Sequence, residues 1–411
     1  MHLLVIGYVW PEPNSSAAGS RMMQLLHTFR DANWQITFVS PAQQTEHMTK
    51  LDELDIACEH ITLNDASFDH YVSSLAPDAV MFDRFMMEEQ FGWRVEKFCP
   101  NALRILNTED LHSLREARHQ ALKQKRSFQQ ADLHSDLGIR EIAAIHRCDL
   151  TLMISEFEKN LLVNEFHVPE SHVFHLPFML ERSTEYGVLP TFEERQHFIT
   201  IGNFRHAPNW DAVLYLKQQV WPKIRKKLPT AELHIYGAYP PPKATQLHNE
   251  KEGFLVKGWA KDAQDVMKHA RICLAPLRFG AGIKGKLVEA MQMGTPSITT
   301  SIGAESMYGH LPWNGVISDD IEEFAAAAAA LYQDSASWHL MQKNGFSILD
   351  TLYDKAVWGP RFLTRIERQL ALKDTLREKH FLGKMLRHHS LKSTQYMSQW
   401  IELKNKKEEG N

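Results

Sequence analysis

Residues 277–305 read LRFGAGIKGKLVEAMQMGTPSITTSIGAE, and this stretch decides the fold of its half of the chain. Five glycines, two lysines and two glutamates fall on one strand-loop-helix-strand unit. Gly280, Gly282 and Gly285 free the backbone for tight turns and for close approach to a ligand. Lys284 and Lys286 add positive charge to the same loop. The pattern predicts a short helix over 288–293, stopped by Gly294 and Pro296, and a strand over 297–301. A glycine loop that ends at a helix N-terminus holds phosphate through free amides. The same glycines would also serve an ordinary crossover turn, so the unit has to be read with the rest of the chain.

Working outward, short apolar runs alternate with helical stretches along both halves. Residues 2–9, 35–39, 58–63, 79–82, 103–107 and 150–154 read as buried strands, with helices over 21–29 and within 113–147. A second series restarts at 197–201. It continues through a helix at 211–220, strands at 232–236 and 255–256, a helix at 262–269 and a strand at 272–275. The alanine run 325–330 reads as helix interior. The fold class is therefore α/β, with two Rossmann-like halves facing one another across a cleft. The expected boundaries are a first domain over 1–178, a hinge over 179–195, a second domain over 196–375 and terminal helices over 376–411. In open parallel sheets the ligand crevice lies beyond the C-terminal strand ends. That rule directs attention to the loops after Val9, Phe82, Asn107, Ile201, Tyr236 and Ala275.

At 411 residues the chain is too long for one core and suits two domains. A net charge of -4 gives no electrostatic case for nucleic acid, and none is expected as a partner. The four cysteines, Cys58, Cys99, Cys148 and Cys273, are scattered, which argues against a disulfide framework or a zinc cluster. The N-terminus lacks a basic region and runs from strand into loop, unlike a signal peptide. The expected location is cytoplasmic. The loop after Val9 has no Gly-x-Gly-x-x-Gly, which argues against a dinucleotide oxidoreductase.

The run GluAlaMetGlnMetGlyThrPro, 289–296, resembles the donor motif of retaining GT-B glycosyltransferases. These are the bacterial group 1 enzymes that build lipopolysaccharide, capsule and glycolipid sugars from nucleotide sugars. Their motif carries two glutamates; Glu289 matches the second, while Ala281 stands where the first would contact the donor sugar. The resemblance implies a nucleoside diphosphate sugar as donor substrate and no tightly bound cofactor. It also implies a glycan or lipid-linked acceptor. The loop 199–211 contains Gly202 and Arg205, with Asn203 in place of the family arginine and no Lys-Gly after it. Arg205 and Lys286 (or Lys284) are expected to offset leaving-group charge, so that no metal is required. Glu289 is expected to accept both ribose hydroxyls, as acidic residues do in dinucleotide folds. Gly280, Gly282, Ile283 and Lys284 line the diphosphate and sugar, and the base is expected beside Gly237 and Val256. Across the cleft, Gly19 lets the first loop approach. His112, after the strand 103–107, is placed where the family hydrogen-bonds the transferred sugar. Ser155 reads as an N-cap, with Glu158 completing a capping box.

The family returns its last helix to the first domain. Met397, Trp400, Ile401 and Leu403 form a stripe suited to that packing. The alternative is peripheral contact with the inner face of the membrane through Lys379, Lys384, Arg387 and Lys392. Two further readings stay open at this level: a nucleotide-sugar epimerase of similar architecture, and a degenerate member that binds without catalysis, as Ala281 and the missing Lys-Gly would suit.

Overall fold

A computed structural model describes residues 1–185 and 187–409. Among the described residues, thirteen strands form two wholly parallel sheets. The first contains β1 (His2–Ile6), β2 (Gln35–Ser40), β3 (Ala57–His60), β4 (Ala79–Asp83), β5 (Leu103–Asn107), β6 (Leu150–Met153) and β7 (Val173–His175), ordered 3-2-1-4-5-6-7. The second contains β8 (Gln196–Ile201), β9 (Leu233–Tyr236), β10 (Phe254–Gly258), β11 (Ala270–Ala275), β12 (Ser297–Thr299) and β13 (Gly315–Ile317), ordered 10-9-8-11-12-13. Strand order reverses beside β1 in one sheet and beside β8 in the other, so each sheet opens a crevice at its C-terminal edge. Leu3, Leu4, Val5 and Ile6 are fully buried, and alternate residues serve the two faces of the sheet.

The structure moves several expected boundaries. The helix expected over 288–293 is Gly285–Gln292 and begins inside the glycine loop. The strand expected over 297–301 ends at Thr299, and Thr300 caps a short helix, Ser301–Ala304. The stretch 113–147 is two helices, His112–Lys123 and Asp136–Arg147. The helix expected over 211–220 begins earlier, at Ala207, with Pro208 in its first turn.

The largest difference lies at the C-terminal end. Helix Lys355–Lys379 already belongs to the first domain, because Phe362 and Ile366 are fully buried in its core and Phe362 packs edge-on to Phe29 at 5.2 Å. The expected boundary at 376 therefore falls inside a helix that has crossed back. The two crossings touch: the Leu180 amide donates to the Tyr353 carbonyl at 2.8 Å, and the Lys355 amide donates to the Leu180 carbonyl at 2.8 Å. The last helix, Phe381–Glu409, lies on helices Phe85–Phe98 and Asp136–Arg147 of the first domain. Its inward face is not the expected stripe. Ser398 is buried and accepts from Arg94 at 3.2 Å, whereas Met397, Trp400 and Leu403 are about 60% exposed.

Candidate active site between the domains

A cleft of about 710 Å³ runs between the C-terminal edges of the two sheets. It is lined by Gly19, His112, Gly202, Arg205, Gly237, Gly280, Gly282, Ile283, Lys284, Lys286 and Glu289, together with Ala281. Val256 is the exception. It sits on the edge strand β10 with its side chain packed on the second domain's core, and it does not reach the cleft.

The second domain contributes two helix N-termini. Helices Gly285–Gln292 and Ala207–Tyr215 begin at Lys284 and His206, and neither cap residue makes a side-chain bond to the first turn. Both starts line the cleft. Uncapped amides and the positive end of the helix dipole favour an anion there. Lys286 lies between them and donates to Asn209 Oδ1 at 2.8 Å. Burial lowers its pKa to about 8, opposed by Cys273 and Glu289. Burial raises Glu289 to about 7, opposed by Lys286. Arg205 stays exposed, its guanidinium 3.7 Å from the centre of the Tyr239 ring. Lys284 folds back: its Nζ donates to the Gly282 carbonyl at 2.7 Å, and Glu305 and Glu158 offset a burial that lowers it to about 8.

The first domain contributes the loop after β5. His112 opens helix His112–Lys123, with its ring edge-on to Phe85 at 5.5 Å and its Nε2 3.5 Å from Asp110. Burial outweighs the pull of Asp110 and lowers the imidazole to about 4, so His112 is neutral at ordinary pH. A neutral ring can donate from one nitrogen and accept at the other. Although burial opposes it, pairing with Arg115 and His112 holds the Asp110 carboxyl well below its usual range. The buried Glu141 accepts from the His112 and Ser113 amides at 2.9 and 3.0 Å, which fixes where this helix starts. Glu109, in the left-handed region at φ 65, also faces the cleft. It accepts from Asn107 Nδ2 at 2.7 Å, and burial, countered by Arg21, raises it to about 7. The sequence reading passed over Glu109, because an acidic residue in a turn carries no periodic signal.

The domains are held together by side chains that the sequence reading missed or assigned locally. Glu158 does not close a capping box with Ser155. Fully buried, it accepts from the Leu111 amide at 2.7 Å and, across the cleft, from the Gly282 amide at 2.9 Å. Ser155 does act as the N-cap, accepting from the Glu158 amide at 3.4 Å. Arg118 forks onto both oxygens of Glu305 at 2.7 and 2.9 Å and reaches the Gly280 carbonyl at 2.8 Å. His119 stacks on Phe279 at 4.2 Å. On the other side of the cleft, Tyr239 donates to the Glu12 carboxylate at 3.0 Å and Trp259 to the Asn14 carbonyl at 3.3 Å. The conformation is closed. Gly282, at φ 66, leaves no room for a side chain, since an added Cβ would lie 2.9 Å from that of Asp110.

Gly285 meets the first domain even more tightly, since an added Cβ would lie 2.2 Å from the Ala17 Cβ. Gly285→Ala should therefore hold the domains apart. Overpacking strain of about 1–3 kcal/mol would be relieved by opening, weakening nucleotide affinity about tenfold. Small-angle scattering should show a larger radius of gyration than the parent; an unchanged radius with unchanged affinity would contradict the closed contact.

The family model described as "Glycosyl transferases group 1" matches residues 195–334. No curated protein sequence matches the chain. Among solved structures, HepE of Anabaena in complex with UDP and glucose has a TM-score of 0.68 at 12% identity, covering 89% of this chain and 99% of its own. TarM of S. aureus, in complex with fondaparinux, alpha-GlcNAc-glycerol and UDP, has a TM-score of 0.67 at 10% identity, covering 90% and 99%. The lipopolysaccharide outer core galactosyltransferase WaaB, in its apo form, has a TM-score of 0.58 at 14% identity, covering 90% and 100%. At these identities the likeness is one of fold. The two parallel α/β domains facing a shared cleft have the GT-B architecture, and the match to the group 1 glycosyl transferase model falls on the second of them, over residues 195–334.

Proposed function

We propose that the chain is a retaining glycosyltransferase. It moves a sugar from a nucleoside diphosphate sugar to a glycan or lipid-linked acceptor in lipopolysaccharide, capsule or glycolipid synthesis. The donor would come from the cytoplasmic pool. The observation that carries this reading is the convergence of two uncapped helix N-termini, Lys286 and Glu289 on one closed interdomain cleft. The named ligands of the structural neighbours support the donor class: UDP with HepE and with TarM.

In this reading the diphosphate lies against the amides at Gly285 and Ala207, with Lys286 on one side and Arg205 at the mouth. Charge that develops on the leaving phosphate meets donors already in place, which favours the transition state over the ground state. The base rests near Gly237, where a side chain would strike the Gly202 carbonyl. Glu289 takes the ribose hydroxyls. The family resemblance supports a retained configuration: the acceptor hydroxyl attacks the face from which the nucleotide departs, and its proton goes to the departing phosphate oxygen. His112, neutral and half-buried, positions the sugar by donating or accepting a hydrogen bond. Lys286 and Arg205 are the cationic side chains set against the diphosphate in this reading. Among the described residues no cluster of His, Cys, Asp and Glu is arranged to hold a metal ion.

Ala281 sets the sugar subsite apart from the family pattern. Its methyl lines the cleft and packs on the first domain's core, where a carboxylate would otherwise accept from the sugar. The subsite then suits a deoxy or N-acetylated sugar, or one held by backbone amides over 280–283.

Glu289→Gln should leave the fold intact and weaken nucleoside diphosphate binding about tenfold, because an amide accepts less strongly from two hydroxyls than a carboxylate. Calorimetry with UDP, GDP and ADP checks this. If one of them binds the parent and binds Glu289→Gln equally well, the ribose role is wrong. Incubating the parent with nucleotide sugars in the absence of acceptor separates transfer from epimerisation, since an epimerase converts its donor unaided.

A further inference from the structure

We infer that the outward face of the last helix is a docking surface for an anionic lipid bilayer. Eighteen large apolar side chains are exposed on the described chain, and seven belong to helix Phe381–Glu409. They are Phe381, Leu382, Met385, Tyr396, Met397, Trp400 and Leu403. At 3.6 residues per turn they fall within an arc of about 160°. Gly383, Arg387, Ser398 and Glu402 occupy the opposite arc. That arc is the one that meets the protein: Gly383 and Ser398 are buried, Arg387 donates to the Arg147 carbonyl at 3.4 Å, and Glu402 approaches Arg94 at 4.0 Å. The described residues of the inner arc are mostly small or polar, with the partly buried Ile401 beside them, and the larger apolar stripe turns to the outside. Ordinary packing of an amphipathic helix does the reverse.

The charge around the stripe selects the occupant. Helix Phe381–Glu409 holds six Lys or Arg against three Glu, in a protein whose net charge is -4. Exposed Lys392, Lys404 and Lys406 lie on the stripe or at its rim, and Lys379 precedes it. A large aromatic and aliphatic face with a basic rim suits a helix lying in the headgroup region, with lysine stems along the acyl boundary and ammonium groups at the phosphates. Self-association through the same face would bring the lysine rims together, and like charges oppose it. No helix among the described residues is long and apolar enough to cross a membrane, so contact through this helix would be peripheral. The helix rides on the first domain, so docking would bring the acceptor-side domain to the lipid. The inference deepens the lipid-linked acceptor part of the reading above, and its test reads vesicle binding so that either can fail alone.

The test is flotation of the full chain with vesicles of phosphatidylglycerol and phosphatidylcholine, against phosphatidylcholine alone. The parent should float with the anionic vesicles, less so at high salt. A Met397→Glu/Trp400→Glu double variant, altered only at exposed positions, should lose about tenfold or more in partition, as should Lys392→Glu/Lys404→Glu. Calorimetric binding of the nucleoside diphosphate, kept in both variants, shows that they are folded. Absence of parent flotation with anionic vesicles overturns the inference, and so does flotation that survives the double variants. A dimer in light scattering that Trp400→Glu dissolves, without vesicle binding, assigns the face to a second copy and likewise overturns it.

Discussion

Lys286→Ala is expected to lower turnover with the true donor by about 100–1,000-fold, the usual cost of removing one donor aimed at developing charge. Donor affinity should change far less, because the uncapped helix amides and Arg205 remain. The ammonium lies between the two helix starts, bonded to Asn209 at 2.8 Å, so its position is set before any ligand arrives. A pH dependence follows. With a pKa near 8 in the unliganded cleft, Lys286 is charged below that value and neutral above it. The kcat/KM for the donor should therefore fall as the pH rises past about 8, where the free protein loses the charge that meets the leaving phosphate. In Lys286→Ala this alkaline decline should flatten. Lys284 also titrates near 8, but its ammonium is committed to the Gly282 carbonyl. Loss of donor affinity with unchanged turnover in Lys286→Ala would show uniform binding and refute a transition-state role.

Glu158→Ala is expected to be the most damaging change outside the donor contacts. It leaves the Leu111 and Gly282 amides without their acceptor in a fully buried position. At about 1–3 kcal/mol for each unmade bond, the loss is about 2–6 kcal/mol. The amides belong to different domains, so the loss should appear twice. Thermal unfolding should begin several degrees lower, and the loop 280–286 should exchange its amide hydrogens faster. Glu158→Gln keeps one acceptor oxygen and should lie between the parent and the alanine variant. If hydrogen exchange of the loop is the same in all three, Glu158 stabilises only its own domain.

The two-domain α/β fold was legible because buried parallel strands are rich in apolar residues; Leu3–Ile6 of β1 is an unbroken run, and β5 and β8 are short, mainly apolar segments between helical stretches. The place of the loop 280–286 at the cleft was legible because closely spaced glycines follow a strand end in an open parallel sheet. What failed was what depends on partners distant in sequence. Glu158 carries the spacing of a local capping box, yet its acceptor oxygens serve residue 111 and, 124 positions away, residue 282. Arg118 and Glu305, 187 positions apart, look like surface charges until the fold brings them together. Helix Gly285–Gln292 starts at a glycine, which in sequence reads as loop, and only the packing of Gly285 against Ala17 shows why glycine stands there. The terminal helix fails differently. Its 3.6-residue period shows that it has two faces, but periodicity cannot say which one the protein claims.

The paired crossings at Leu180 and Tyr353–Lys355 have a mechanical consequence. A single linker would leave the halves free to swivel in any direction. Two strands of chain that pass between the halves side by side, each hydrogen-bonded to the other, act as a door hinge with one pin. Rotation about that pin spares both bonds, whereas sliding or twisting one half against the other breaks them. Opening is thereby confined to one angular coordinate. Glu158, Arg118 and Tyr239 lie along the swinging edge and serve as latches, so each product release requires all of them to let go.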